Sequence, residues 1–210
     1  MEIRTIRGRA VLYGGSFNPI HNGHIEAIQM LLDRRDTNGM YYYNKVIVAP
    51  SFASPFKEFN VCFADRFEMA ATSIKRVIGD ERVEVIFDSN ASPLFQYTYY
   101  FLKHLSLKYS DYSIDLAIGA DCLAQITKWA CFKDILYQFD IVVIPREGVE
   151  MKVPEGLTLA RSITKMSEIP SNISSTYIRQ CIDECNPEWK TLVPKYVADY
   201  IQKHHLYDCS

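Results

Sequence analysis

The chain of 210 residues (24.2 kDa) is 48% hydrophobic and 13% aromatic, which is enough to bury a full core in one domain and excludes a disordered protein. A formal net charge of −2 and a pI of about 6.2 exclude the global basic field that attracts nucleic acid or an anionic membrane, so an anion site has to be local. No apolar run reaches the roughly 18 residues of a transmembrane helix, and the start MEIRTIRGRA lacks the apolar core of a secretory signal, so we expect a soluble cytoplasmic protein without nucleic-acid or membrane partners.

The first informative stretch is residues 11–24, VLYGGSFNPIHNGH. Val11–Tyr13 ends a short apolar run that is typical of a buried strand. The adjacent glycines Gly14–Gly15 predict a sharp backbone turn that can approach a ligand closely. Pro19 prevents an immediate helix, whereas the amphipathic run from Ile25 onwards predicts a helix directly after the stretch.

His21 and His24 are therefore predicted at a helix N-terminus, where unpaired N–H groups and the positive end of the helix dipole favour an anion. Their side chains, three residues apart, can share one face of the first turn, and the expected ligand is a phosphate. The adjacent glycines do not fit the G-x-G-x-x-G fingerprint, and no G-K-[ST] of a P-loop follows. The alternative is a tight strand-to-helix turn with two surface histidines.

Beyond this stretch, short apolar runs alternate with helical patterns, and no internal repeat, low-complexity tract or long linker interrupts the chain. This alternation predicts an α/β fold with a doubly wound parallel sheet in a single domain. The further predicted strands are Lys45–Pro50, Val83–Phe87, Ile114–Ile118, Phe139–Pro145 and Leu157–Ile163. The further predicted helical segments are Ala64–Ile78, a helix through Tyr99, Leu102 and Leu105, and Leu123–Tyr137, which carries Trp129.

Two candidate site segments follow predicted strands. Gly119 and Asp121 come directly after the fourth strand, at the edge where open α/β sheets bind ligands. Lys57 lies in a loop after the second strand, within SPFKEF, and is the only nearby cation before the following helix. The alternative for Lys57 is an ordinary solvated loop lysine.

The stretch Ile173–Cys181, ISSTYIRQC, predicts a second helix N-terminus. Ser174, Ser175 and Thr176 are favoured N-cap residues that offer hydroxyls and backbone N–H groups. Arg179 lies three residues after Thr176 on the same face, and its planar guanidinium suits phosphate oxygens. A plain capped helix with a surface arginine is the alternative.

The six cysteines are scattered, with no C-x-x-C pair and no Cys/His spacing that suits zinc. We expect free thiols rather than disulfides or a zinc site. These residues are Cys62, Cys122, Cys131, Cys181, Cys185 and Cys209.

These motifs together resemble the H-x-G-H nucleotidyltransferase superfamily, and in particular the bacterial nicotinate mononucleotide adenylyltransferase family. The resemblance covers nearly the full chain and implies a Rossmann-like α/β fold. It implies one nucleotidyltransferase domain over residues 1–210, in which a helical cap from about residue 171 carries ISSTYIR. The matching motifs are GGSFNPIHNGH, SPFK at 54–57, Tyr97-Thr98, IGAD at 118–121, Lys128-Trp129, IPREG at 144–148, ISSTYIR and LVPKYVADYI.

The resemblance also implies roles for the candidate residues. The groups expected to act in catalysis are His21, His24, Lys57 and Arg179. The residues expected to bind ATP are Gly14, Gly15, Ser16, Phe17, His21, His24, Gly119, Asp121, Ser174, Ser175 and Arg179. Those expected to bind a pyridine mononucleotide are Gly15, Ser16, Phe17, Asn18, Lys57, Thr98, Trp129 and Arg146.

Two departures from the family pattern affect the expected pyridine pocket. Phe101 stands where the family usually has a threonine, three residues after the Thr98 position, and Ala130 stands where it has an aromatic residue or histidine. The resemblance implies nicotinate mononucleotide as the acceptor, giving deamido-NAD in NAD biosynthesis, and these two departures keep nicotinamide mononucleotide as the alternative.

The chemistry implied is attack of a mononucleotide 5′-phosphate on the α-phosphorus of ATP, with release of pyrophosphate. The phosphate nucleophile is already ionised near pH 7, so catalysis reduces to alignment and charge neutralisation. No carboxylate cluster in the sequence forms an obvious metal site, and we expect Mg²⁺ to arrive with ATP.

Two other functions compete with this one. A different H-x-G-H nucleotidyltransferase could use phosphopantetheine or an alcohol phosphate as its acceptor, although Trp129 and IPREG favour the pyridine mononucleotide. A nucleotide-binding regulatory module without catalysis is disfavoured by the intact His21, His24 and Arg179, since a mere binder does not need groups aimed at a transition state. The oligomeric state is not predicted.

Overall fold

The computed structural model describes residues 6–53, 61–148, 150–154, 160–169 and 172–207, and shows one domain built on a six-stranded, all-parallel sheet. The strand order is β3-β2-β1-β4-β5-β6, so the chain reverses its direction of travel between β1 and β4. This confirms the predicted Rossmann-like, doubly wound α/β fold. The strands are β1 (Gly8–Gly15), β2 (Lys45–Pro50), β3 (Val83–Val85), β4 (Tyr112–Gly119), β5 (Ile141–Ile144) and β6 (Ile163–Lys165).

Helices cover both faces of the sheet, which explains why the central parts of β1, β2 and β5 are continuous apolar runs. In β1, Val11 belongs to one core cluster, whereas Ala10 and Leu12 belong to the other, as expected from the alternation of side chains along a strand. The first cluster joins α1 (Asn22–Asp33), α2 (Phe63–Val77), α6 (Ser175–Asp183), α7 (Trp189–Leu192) and α8 (Lys195–His204). The second joins α3 (Thr98–Lys108), α4 (Ala120–Leu123) and α5 (Phe132–Gln138).

The predicted helical region Leu123–Tyr137 is broken in the structure. α4 ends at Leu123, a 3₁₀ turn follows at Ile126–Lys128, and α5 begins only at Phe132. Ile126 and Ile135 are both fully buried. Nine residues correspond to about two and a half turns, so an unbroken helix would have placed these two side chains on opposite faces.

The predicted sixth strand, Leu157–Ile163, is wrong in its bounds. The strand that pairs with β5 is Ile163–Lys165, in the register Ile141↔Ile163 to Val143↔Lys165. Only the last predicted residue therefore belongs to it, and residues 155–159 lie outside the described chain. The third predicted strand is also shorter than expected, because Phe87 has already turned into the helical region of φ and ψ.

In the C-terminal part, the described residues from 172 onwards form α6, α7 and α8, which pack on the same side of the sheet as α1 and α2. α2 and α8 are in direct contact. No helix in the described ranges is long and apolar enough to cross a membrane.

Candidate active site

A cavity of about 540 Å³ lies at the carboxyl ends of β1, β2 and β4. This is the edge of the sheet, beside the point where the strand order reverses, at which open α/β folds bind ligands. The cavity brings together seven of the residues that the sequence nominated from four separate segments. They are Gly14, Gly15, Ser16, Thr98, Gly119, Asp121 and Trp129.

The glycine pair does not make the turn that the sequence predicted. Gly14 and Gly15 remain in β1 and continue its register with β2. Neither has a positive φ; the left-handed residue is Phe17, with φ 44°, and the Asn18–Pro19 peptide bond is cis. The turn is therefore the segment Ser16–Pro19, and the glycines instead supply bare strand backbone to the cavity wall.

His21 and His24 lie immediately after this Ser16–Pro19 turn. α1 begins at Asn22, one turn earlier than predicted, so His21 is its N-cap residue and His24 lies within its first turn. The two imidazoles stack, with ring centroids 3.6 Å apart. The His21 backbone N–H donates to His24 Nδ1 at 3.2 Å, and the Phe17 ring meets His24 edge-on at 4.9 Å. The alternative of two surface histidines does not hold, because His21 is only 2% exposed.

Burial decides the charge of His21. Burial, together with the nearby positive charge of Arg146, lowers the pKa of His21 to about 3. The imidazole is therefore neutral at pH 7 in the protein without ligand. Its contribution to an anion site is therefore a hydrogen bond from a neutral imidazole.

The start of α6 is tied to the Ser16–Pro19 turn by two of the predicted phosphate residues. Ser175 Oγ donates to the carbonyl of Pro19 at 2.9 Å, and Arg179 donates to the carbonyl of Asn18 at 2.7 Å. Ser174 is the N-cap, whose hydroxyl accepts from the Tyr177 N–H at 3.1 Å. The two predicted helix N-termini therefore lie next to each other, although the contact between Ser175 and Pro19 spans 156 positions in sequence.

Asp121 and Arg146, which the family resemblance assigned to different substrates, form an ion pair at 3.2 Å. Arg146 also donates to the carbonyl of Ile173, the residue before the α6 N-cap. A side chain at Gly119 would meet Asp121 Oδ1, since an added Cβ would lie 2.5 Å from that oxygen. Gly119 is therefore needed for Asp121 to hold this position at the end of β4.

The residues of the predicted pyridine pocket lie on the cavity wall. Thr98 begins α3 and Trp129 follows the 3₁₀ turn, and both side chains line the cavity together with Phe101 and Ala130. Trp129 is half-buried, whereas Phe101 is 5% exposed. Part of the Trp129 side chain is therefore accessible from the cavity instead of being sealed in the core.

The remaining predicted residues do not line the cavity. Phe17, Asn18, His21, His24, Ser174, Ser175, Arg179 and Arg146 form an adjoining polar cluster around the Ser16–Pro19 turn. Gly15 and Ser16 belong to the cavity wall and lead directly into that turn, so the two regions are continuous. Lys57 lies outside the described residues.

Comparison with known proteins decides the family. The family model described as cytidylyltransferase-like matches residues 12–181. A curated relative from Anaeromyxobacter sp. (strain K), named probable nicotinate-nucleotide adenylyltransferase, is 31% identical over 201 residues that cover 95% of this chain and 97% of the relative. The chain belongs to the nicotinate-nucleotide adenylyltransferases, within the cytidylyltransferase-like family.

Other members of the adenylyltransferase family agree with this placement. A Helicobacter pylori (strain HPAG1) relative with the same name is 34% identical over 146 residues, which cover 66% of this chain and 75% of the relative. The solved structure of Plasmodium falciparum nicotinic acid mononucleotide adenylyltransferase complexed with NaAD has a TM-score of 0.73 at 21% identity, covering 96% of this chain and 98% of that one. The same Plasmodium protein complexed with APC gives a TM-score of 0.71 at 20% identity over the same shares of the two chains. These two structures share the fold described above.

Two residues of this adenylyltransferase that hold segments of the candidate site in place were not identified from the sequence. Arg66 of α2 is 1% exposed, and donates to the carbonyls of Ser16 at 2.6 Å and Ser51 at 2.8 Å. It thereby links the segments that follow β1 and β2. Tyr207, after α8, donates to Asn18 Oδ1 at 2.8 Å.

A sequence signal existed for Arg66 but not for Tyr207. Arg66 lies on the helix face that carries Phe63 and Ala70, both buried, and an arginine on an apolar face requires acceptors. Tyr207 lies beyond the last periodic helix, where no pattern indicates a long-range contact.

No group of three or more His, Cys, Asp or Glu side chains that could hold a metal ion occurs among the described residues. The five cysteines in this part of the chain are free thiols. The cavity and the polar cluster therefore offer neutral and cationic donors for phosphate oxygens, and Asp121 as the carboxylate at the cavity wall.

Proposed function

We propose that the chain transfers the adenylyl group of ATP to nicotinate mononucleotide, giving deamido-NAD and pyrophosphate in NAD biosynthesis. The observation that carries this proposal is the cavity at the carboxyl ends of β1 and β4, whose wall residue Ser16 begins the turn that leads to a stacked histidine pair at a helix N-terminus. Membership of the nicotinate-nucleotide adenylyltransferases supports the same conclusion.

The reaction forms one bond and breaks one bond at the α-phosphorus of ATP. An oxygen of the mononucleotide 5′-phosphate bonds to this phosphorus, while the bond from the phosphorus to the α,β-bridging oxygen breaks and pyrophosphate leaves with that electron pair. Because the nucleophile is an anion near pH 7, no base has to activate it. The protein acts by alignment and by stabilising negative charge.

We assign this stabilisation to the polar cluster. His24 contacts the α-phosphate, and the neutral His21 imidazole and the N–H groups at the start of α1 donate to neighbouring phosphate oxygens. Arg179, Lys57 and the Ser174 and Ser175 segment at the start of α6 hold the β- and γ-phosphates and the departing pyrophosphate. Among these phosphate-binding residues, Arg179 is the cation whose position supports the proposed role most directly, because its guanidinium is held 2.7 Å from the Asn18 carbonyl.

We assign the two organic parts of the substrates to the cavity side. Gly119 and Asp121 contact the adenosine, together with the strand backbone of Gly14 and Gly15. The mononucleotide binds beside Gly15, Ser16, Phe17 and Asn18, with Thr98 and Trp129 near the pyridine and Arg146 near the phosphate. The ion pair between Asp121 and Arg146 supports an arrangement in which the two substrates meet near these two side chains.

We propose that Mg²⁺ enters with ATP, bound to its phosphates. The described residues provide no cluster of carboxylates or histidines that would hold the ion by themselves, which suits a cation carried by the nucleotide. Mg²⁺ supplies neutralisation of the phosphate charge as the pyrophosphate leaves.

Nicotinate mononucleotide is preferred to nicotinamide mononucleotide in this proposal. A carboxylate only accepts hydrogen bonds, so backbone N–H groups near Thr98 and Trp129 suit nicotinate, whereas the amide NH₂ would face those donors without a partner. Phe101 and Ala130 line the same cavity without polar side-chain atoms, so neither side chain contributes a hydrogen bond to this discrimination.

The proposal includes the organisation of the chain and its location. Residues 1–210 act as one nucleotidyltransferase domain, and the C-terminal helices from about residue 171 form a cap that brings Ser174, Ser175 and Arg179 to the phosphates. The reaction takes place in the cytoplasm, where free ATP is available.

The test is pyrophosphate release from ATP in the presence of Mg²⁺ and, in turn, nicotinate mononucleotide, nicotinamide mononucleotide and phosphopantetheine, with the dinucleotide product identified by mass. Rapid formation of deamido-NAD is expected. Faster reaction with nicotinamide mononucleotide would reverse the substrate preference, and reaction only with phosphopantetheine would replace the function. Calorimetric binding of ATP without any turnover would indicate the regulatory module instead.

A further inference from the structure

Asn18, at the centre of the Ser16–Pro19 turn, is held from two distant parts of the chain. Its backbone carbonyl accepts from Arg179 at 2.7 Å, and its side-chain Oδ1 accepts from the Tyr207 hydroxyl at 2.8 Å. Asn18 is only 4% exposed, and among the described residues its side-chain oxygen is held by the Tyr207 hydroxyl. The Tyr207 contact spans 189 positions in sequence.

The backbone after α8 is bent to bring Tyr207 to this position. α8 ends at His204, and His205 and Tyr207 then adopt φ values of 50° and 66°. Both are non-glycine residues in the left-handed region, which is unfavourable without compensating tertiary contacts. Leu206 N–H donates back to the Ile201 carbonyl at 3.1 Å and closes the turn.

The Tyr207 hydroxyl is a permanent donor in this setting. Burial raises the pKa of Tyr207 above its usual value, although the charges of Arg179 and Arg66 act in the opposite direction. A protonated phenol that donates to Oδ1 determines which end of the Asn18 amide faces the tyrosine. The Nδ2 end then points away from Tyr207, and it has no hydrogen-bond partner within the described part of the chain.

We propose that Tyr207 is a positioning residue for the mononucleotide. Tyr207 takes no part in the chemistry itself. Its hydroxyl fixes Oδ1 of Asn18, so that the Asn18 NH₂ group faces an oxygen of the bound mononucleotide. This inference rests on the proposed function, which places Asn18 beside that substrate. A rotated or mobile Asn18 amide would present its oxygen to the anionic mononucleotide for part of the time, and binding would weaken.

The first experiment compares Tyr207→Phe with Tyr200→Phe in the full chain. The control tyrosine is matched, because its hydroxyl donates to Asp65 Oδ1 at 2.9 Å without touching the Ser16–Pro19 turn. For Tyr207→Phe we expect kcat/KM for nicotinate mononucleotide to fall by about fivefold to tenfold through KM, with the KM for ATP within about twofold of wild type. Tyr200→Phe is expected to match the wild type in both constants.

A merely structural role predicts a different result. If Tyr207 only stabilises the fold, Tyr207→Phe and Tyr200→Phe lower the unfolding temperature and leave both KM values unchanged. Assays well below the unfolding temperature of each variant keep the comparison valid, and unchanged KM values there would overturn the proposal.

The second experiment asks whether Tyr207 acts through Asn18. In a double-mutant cycle of Tyr207→Phe and Asn18→Ala, the double variant is expected to bind nicotinate mononucleotide no more weakly than Asn18→Ala alone, because the hydroxyl then has no amide to orient. Additive losses would show that Tyr207 does not act through Asn18.

Calorimetric titration with nicotinate mononucleotide supplies this readout independently of turnover. A wild-type protein that neither binds nor turns over this mononucleotide would refute the proposed function and this inference with it. A wild type that forms deamido-NAD, with Tyr207→Phe binding equally well, would refute the inference alone.

Discussion

The stacked imidazoles of His21 and His24 combine a structural and a proposed chemical role, and His24→Ala tests the second. We expect a fall in kcat of about 10²-fold or more, because the variant removes a hydrogen-bond donor from the reacting α-phosphate. The folded state is expected to survive, with a loss of about 1 kcal/mol in the free energy of unfolding from the hydrogen bond between the His21 N–H and His24 Nδ1. Steady-state kinetics and thermal unfolding measure the two effects.

His24→Asn separates the two roles, since its side-chain oxygen can still accept from the His21 N–H. Recovery of stability without recovery of kcat is expected. A normal kcat in a folded His24→Ala variant would remove His24 from the mechanism.

The two tryptophans of the chain offer a matched comparison for the pyridine pocket. Trp129 is half-buried on the cavity wall, whereas Trp189 is 6% exposed within a core cluster. For Trp129→Ala we expect kcat/KM to fall by similar factors, on the order of ten or more, for nicotinate and nicotinamide mononucleotide, because stacking does not distinguish a carboxylate from an amide. For Trp189→Ala we expect a loss of about 3 kcal/mol or more in stability.

Unfolding temperatures and kinetics with both mononucleotides decide between these outcomes. If Trp129→Ala destabilised the protein as much as Trp189→Ala and left kcat/KM unchanged in the folded fraction, Trp129 would be a core residue and not a stacking surface.

At the scale of elements, the Ser16–Pro19 turn is held by α2, α6 and the segment after α8. Their donors are Arg66 to Ser16, Ser175 to Pro19, and Tyr207 and Arg179 to Asn18. All three elements are distant from the turn in sequence. The conformation of the turn therefore depends on tertiary contacts, which local sequence pattern does not contain.

Arg179→Lys tests the proposed clamp at the start of α6. Lysine keeps the charge but loses the planar pair of donors with which Arg179 contacts Asn18 O and Thr176 Oγ1. We expect kcat/KM for ATP to fall about tenfold or more. Arg35→Lys is the matched control, since Arg35 contacts only exposed groups of its own loop.

ATP kinetics at saturating mononucleotide provide the measurement for this pair. If lysine supports ATP use as well as arginine does, the phosphate-clamp role of Arg179 is wrong.

Helices and strands were predicted well where one continuous stretch of sequence carried a long hydrophobic pattern. Strand β2 and the helix near Ala64–Ile78 have nearly the predicted bounds, because each has its own continuous or periodic apolar pattern. The continuous helical region predicted at Leu123–Tyr137 was wrong, because the break depends on which of its side chains pack into the core. The turn predicted at Gly14–Gly15 was wrong, because a glycine can let a ligand approach the backbone closely while that backbone stays extended.

At the scale of the whole molecule, the alternation of strands and helices was enough to predict a doubly wound parallel sheet. The order β3-β2-β1-β4-β5-β6 depends on which strands pair, and it is this order that places the carboxyl ends of β1 and β4 side by side. Gly15 and Gly119 were nominated separately in the sequence, and only the pairing of their strands puts them on one cavity.

The stability of the whole domain is expected to depend on pH through His21. Burial, with Arg146 adding to it, lowers the pKa of His21 in the folded protein from 6.5 to about 3. The unfolded chain therefore binds a proton at His21 between these two pH values while the folded protein does not, so the stability present above pH 6.5 is lost as the pH falls. The loss amounts to about 1.4 kcal/mol for each pH unit, or about 2 kcal/mol between pH 6.5 and pH 5.

Denaturant unfolding of the wild type and of His21→Gln at about pH 7.5 and about pH 5 isolates this contribution. The glutamine side chain does not titrate, so only the wild type loses stability through position 21 as the pH falls. Relative to His21→Gln, the unfolding free energy of the wild type is expected to be lower by about 2 kcal/mol more at about pH 5 than at about pH 7.5. The other titrating groups are common to both proteins and cancel in this difference. Parallel losses in the two proteins would show that His21 binds its proton as readily in the folded domain as in the unfolded chain, and the neutral hydrogen-bonding role assigned to it would then fall.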